Sequence, residues 1–142
     1  MPCSGPRGVG DPRGIVAGGI VVVIARALAG GPELLLLDEP TAGLDLLARE
    51  QGLATIQHMF QPPHHDPPAV VLVTHHIEEL PPVTSSVILL AEGCVAASGT
   101  PQDVLRSDRL SAVYGCPMVV ERHDGRYFVR VSPTTWDGLI DR

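Results

Sequence analysis

Apolar residues along this chain fall into short unbroken runs separated by glycine and proline. Residues 34–38, LLLLD, show no alternation and sit between breakers. That is the pattern of a strand buried on both faces, as in a parallel sheet. Residues 70–74, VVLVT, repeat it and predict a second such strand. Between them Asp45 is placed to cap a helix over residues 45–60, with Leu46, Leu53, Ile56 and Phe60 on one face. Strand, helix and strand in this order predict adjacent parallel strands joined by a right-handed crossover.

Upstream, residues 1–14 are rich in Gly, Pro and Arg without periodicity and are expected to be disordered. Residues 20–29 predict a short helix stopped by Gly30, Gly31 and Pro32. The QPPHHDPP stretch, residues 61–68, reads as a rigid loop, and residues 77–80 begin a short helix. Residues 87–90 and 95–98 flank AEGC as a pair of short strands. Thr100-Pro101-Gln102-Asp103 carries a capping threonine, a first-position proline and a first-turn acid. Ser107 is placed to cap a helix to Tyr114. Residues 118–123 and 126–131, joined by Asp124-Gly125, predict a hairpin with a primed turn. No internal repeat is present. The fold class expected is α/β: a parallel sheet with a C-terminal antiparallel hairpin.

Composition narrows the function classes. The length of 142 residues suits one domain, and 44% hydrophobic with 18% charged residues is ordinary for a globular chain. Acidic residues outnumber scattered basic ones, which argues against a nucleic-acid partner. Every Lys-or-Arg position is Arg; the chain has no Lys and no Asn. Cys3, Cys94 and Cys116 are odd in number and far apart, which argues against a disulfide framework or zinc site and for a reducing compartment. His64-His65-Asp66 lacks a third spaced ligand. No apolar run reaches the roughly 18 residues of a membrane span. Arg7 and Arg13, the apolar residues 15–24 and ARALA also resemble a signal peptide, which would be cleaved after Ala27 or Ala29.

The chemistry concentrates at Asp38-Glu39. An apolar strand ending in two acids presents carboxylates at the edge where parallel sheets bind ligands. Asp38 suits Mg²⁺, a hard cation that takes carboxylate oxygens alongside substrate phosphates. Glu39, free of the metal, could orient or deprotonate a water for attack on a γ-phosphate. The plainer alternative is a buried strand ending in a capping acid.

IARALAGGPELLLLDEPTAGLD, followed by VVLVTHHIEEL, resembles the ATP-binding subunit of ABC transporters. ILLAEGCVAASGTPQDVL and VYGCPMVVERHDGRYFVRV resemble the C-terminal part of some bacterial members. The resemblance covers residues 24–131, leaving 1–23 as a non-family segment and 132–142 as a tail. It implies part of a P-loop NTPase fold, with Asp38 as the Walker B aspartate that holds Mg²⁺ through water. It further implies Glu39 as the catalytic glutamate and Gly43-Leu44-Asp45 as the D-loop crossing a dimer interface. His75 matches the switch histidine that contacts the γ-phosphate. The nearest match to the Leu-Ser-Gly-Gly-Gln signature, which contacts the partner's ATP, is Val16-Ala17-Gly18-Gly19. ATP and Mg²⁺ are the implied cofactors. The implied partners are a second ATPase subunit and membrane permease subunits, with the protein at the cytoplasmic face of the membrane and not inserted in it.

Part of that machinery has no counterpart. The family's phosphate cradle is a Gly-x-x-x-x-Gly-Lys-Ser/Thr loop, and a chain without Lys cannot contain it. The strand that would carry the loop lies, in the family, beside the strand ending at the switch histidine. Without it, residues 70–74 either expose an apolar edge or take residues 87–90 as a neighbour. The chain is therefore expected to be a C-terminal portion of an ABC ATPase, inactive by itself. A non-catalytic module pairing with a complete ATPase is the alternative.

Overall fold

The computed structural model describes residues 12–63 and 66–140. They form two compact units, Met1–Thr74 and His75–Arg142.

The first unit contains helix α1 (Pro12–Leu28), strand β1 (Leu34–Asp38), helix α2 (Leu46–Met59) and strand β2 (Ala69–Val73). β1 and β2 pair in parallel, with Leu34 opposite Ala69 and Asp38 opposite Val73. The strand–helix–strand unit expected from the apolar runs is thus present. Its core is Ile20, Ile24, Leu35, Leu37, Ile56 and Met59, so both helices pack on the face that carries Leu35 and Leu37. Gly52 permits a close approach of the helices: a Cβ there would lie 3.2 Å from Ile20 Cγ1.

Three expectations change. β1 is buried on one face only, with Leu34 and Leu36 remaining 50% and 67% exposed. The cause is that α1 and α2 cover the same side of the sheet. Leu46 is 67% exposed, because the buried stripe of α2 runs through Ala48, Gly52, Leu53, Ile56 and Met59. α1 begins at Pro12, well before residue 20, and so includes the last residues of the stretch expected to be disordered; residues 1–11 lie outside the described part. Gly31, at φ +63°, follows the helix and donates its N–H to the Leu28 carbonyl.

The second unit opens with a 3₁₀ turn, Ile77–Glu79, and continues into β3 (Val87–Ala91) and β4 (Cys94–Gly99). These strands are antiparallel and are joined by Glu92-Gly93, both at positive φ. β3 takes β4 as its partner, and the parallel sheet consists of β1 and β2. Helices α3 (Pro101–Val104) and α4 (Ser107–Tyr114) follow. Thr100 caps α3, its hydroxyl oxygen accepting from the Asp103 N–H. The residue at the cap position of α4 is Arg106; the Ser107 hydroxyl instead accepts from the Val120 N–H at 2.9 Å. β5 (Met118–His123) and β6 (Arg126–Val131) form the expected hairpin about Asp124-Gly125, again with both turn residues at positive φ. Val104, Leu105 and Tyr127 form this unit's core. Arg126 and the Val129 N–H both donate to Glu78, fastening the 3₁₀ turn to β6. A turn, Pro133–Thr135, and α5 (Asp137–Ile140) complete the described chain.

Candidate functional site

β1 delivers Asp38 to the carboxyl end of the parallel pair, with its side chain exposed. Among the described residues, no hydrogen bond or ion pair engages that carboxylate. Glu39 follows at φ +42°, a left-handed conformation that non-glycine residues seldom adopt. Its N–H donates to the Val73 carbonyl at 2.8 Å, and its own carbonyl accepts from the Ala42 N–H at 3.0 Å. The backbone therefore turns sharply where the strand ends, and the two acids sit at the edge where open α/β sheets place ligands.

The turn runs through Gly43, at φ +74°, into Asp45. Asp45 Oδ1 accepts from the Ala48 N–H at 2.8 Å, which makes this residue the N-cap of α2. Asp38, Glu39 and the Gly43-Leu44-Asp45 segment thus belong to one continuous strand–turn–helix. Gly18 and Gly19 lie within α1, away from its N-terminus, and a Cβ at Gly19 would meet nothing within 4 Å. β2 ends at Val73, and the chain passes through Thr74 to His75, the first residue of the second unit. The rings of His75 and His76 are 4.0 Å apart at 43°, and both residues are exposed.

One residue escaped sequence reasoning. Thr41 is 4% exposed, and its hydroxyl has no hydrogen-bond partner among the described residues. It sits under the turn beside Gly52, its Cγ2 methyl 3.9 Å from where a Cβ there would lie. Nothing in PTAGLD marks this threonine as the buried member, since its burial depends on α2 returning over it.

The donor set suits the metal end of a metal–nucleotide site better than the phosphate end. Two adjacent carboxylates offer hard oxygen ligands, and Mg²⁺ commonly takes one or two of these and fills its shell with water and phosphate oxygens. Among the described residues, no group of three His, Cys, Asp or Glu converges to hold a metal alone. No Lys exists to neutralise a triphosphate, and Arg26 is exposed on α1.

No family model matches the chain. Over 114 residues it is 41% identical to the uncharacterized ABC transporter ATP-binding protein YlmA of Bacillus subtilis, covering 80% of this chain and 42% of that one. It is 39% identical over 102 residues to the hemin import ATP-binding protein HmuV of Rhodococcus jostii, covering 72% of this chain and 34% of HmuV. A solved inward-facing structure of an ABC transporter assigned to the metal-chelate type matches at a TM-score of 0.65 and 26% identity, over 82% of this chain and 46% of that one. The chain spans less than half the length of these relatives. Among the described residues, no helix is long and apolar enough to cross a membrane.

Proposed function

Because the chain belongs, over most of its own length, with the ATP-binding proteins of ABC transporters, we propose that it supplies the carboxylate edge of an ATP–Mg²⁺ site. The observation that carries the reading is the exposed, unengaged Asp38 carboxylate at the end of β1, with Glu39 turned sharply beside it. Asp38 would hold Mg²⁺, which screens charge on the phosphates when bound. Glu39 orients and deprotonates the attacking water, the step at which a carboxylate contributes to phosphoryl transfer. His75 contacts the γ-phosphate, and Gly43-Leu44-Asp45 meets the second ATPase subunit. Gly18 and Gly19 stand in the closest match to the signature that reaches the partner subunit's ATP. Permease subunits are the further partners, at the cytoplasmic face of the membrane. Likeness to hemin import proteins supports the import branch of the family.

The same residues set a limit. Asp38, Glu39 and Asp45 repel a triphosphate, and the chain has no Lys to offset them. Phosphoryl transfer rests on positioning and charge stabilisation, so carboxylates without a basic cradle do not suffice. Titration of labelled ATP with Mg²⁺ into the purified chain is expected to give a Kd no tighter than about 1 mM, roughly −4 kcal/mol. Micromolar binding, or hydrolysis abolished by Glu39→Gln, would show a phosphate cradle elsewhere in the chain. Turnover with a complete ABC ATPase added, unaffected by Glu39→Gln, would favour a non-catalytic pairing module instead.

A further inference from the structure

The side chains of β1 alternate so that Leu34, Leu36 and Asp38 share one face and Leu35 and Leu37 the other. The second face is covered by the helices; the first is bare. Register places Val71 beside Leu36 and Val73 beside Asp38, and both valines are about half exposed, at 47% and 52%. A parallel sheet with one apolar face open to water is rare, because such sheets are stable when covered on both sides. The open face is also the one on which Asp38 stands, so whatever covers the leucines arrives next to the candidate metal ligand.

We propose that this bare face docks the phosphate-cradling portion of an ABC ATPase, and that docking completes the nucleotide site at Asp38. The inference rests on the ATP–Mg²⁺ reading above. The occupant follows from three facts. The relatives are more than twice as long as the part matched here. The chain lacks the lysine that a phosphate cradle needs. The uncovered face is wholly apolar up to its acidic end, which suits a partner that brings an apolar helix or strand together with a basic loop.

The test mixes the full chain with a separately expressed polypeptide: the portion of Bacillus subtilis YlmA left outside its match to this chain. A one-to-one complex is expected by sedimentation. Leu36→Asp should weaken it tenfold or more, as should Val71→Thr, which keeps the β-branched strand former and guards against loss of folding. Ile88→Asp, at an exposed position on β3, should leave it unchanged. Absence of a complex, or a complex indifferent to both substitutions, overturns the proposal. So does self-association of the chain that Leu36→Asp abolishes, since the face would then belong to a second copy. ATP–Mg²⁺ affinity of the complex, with and without Asp38→Asn, separates the two readings. A Leu36-dependent complex whose ATP affinity ignores Asp38→Asn keeps the docking and refutes the nucleotide site. ATP binding to the unmixed chain that is lost in Asp38→Asn keeps the nucleotide site and refutes the need for docking.

Discussion

The Glu39 N–H donates to the Val73 carbonyl at 2.8 Å, immediately beyond the last register pair of β1 and β2, Asp38 and Val73. The ends of the two strands are therefore tied by backbone, and the Asp38 carboxylate takes no part. Asp38→Asn is expected to leave unfolding free energy within about 0.5 kcal/mol of the parent, the range of surface changes without partners. Urea denaturation checks this. A loss of several kcal/mol would make Asp38 a structural residue and remove the main support for a metal role.

Asp45 carries a measurable structural duty in addition to any part in a subunit interface. Its carboxylate satisfies the Ala48 N–H at the start of α2, so Asp45→Ala should cost about 1 kcal/mol, and Asp45→Asn only a few tenths. Faster amide exchange at Ala48 in the alanine variant would locate the loss at the cap. Equal stability of all three proteins would refute the capping role.

Gly52 sets the separation of α1 and α2. A side chain there meets Ile20 Cγ1 at once, so Gly52→Leu should overpack the contact and destabilise by about 1–3 kcal/mol. Adding Ile20→Ala should recover part of the loss, because the two changes share one space. Strict additivity in thermal melts would mean that the helices do not meet at this point.

The Asp108 carboxyl is held below the usual carboxylate range, chiefly by side-chain hydrogen bonds from Arg106, whose Nε and Nη2 lie 3.1 and 3.0 Å from its oxygens. A depressed folded value means the ionised form is favoured in the fold. This contribution is fully present above the ordinary carboxylate value and is lost as pH falls through the lowered one. Arg106→Gln should move the Asp108 midpoint upward toward the ordinary value, read from its carboxyl carbon shift by NMR. An unmoved midpoint would assign the depression to another cause.

Elements whose signals are local were legible in sequence. The Asp124-Gly125 turn, the Thr100 cap and the Asp45 cap each depend on a few adjacent residues, and each stands where those residues placed it. What was not legible depends on distant chain. Four consecutive leucines do not say which of them a helix will cover, so the exposure of Leu34 and Leu36 could not be read from the run itself. The same holds for α1. Gly and Pro content argued against helix before residue 20, whereas Ile20 and Ile24 are anchored by contact with a helix much further along. The carboxylate edge was readable because a strand followed by acids is a local pattern. The burial of Thr41 was not, because only α2 creates it.

The three strand pairings differ in how far the chain must travel to make them. Glu92-Gly93 and Asp124-Gly125 each bring two strands together across a tight turn, a closure completed in about 1–10 μs. Leu34 meets Ala69 only after an entire helix has been laid between them, and loop-closure entropy must be met before any ladder bond forms in return. On dilution from denaturant, the two hairpins should therefore gain amide protection ahead of the parallel pair. The half of the molecule that bears the candidate chemistry is then the last to become ordered.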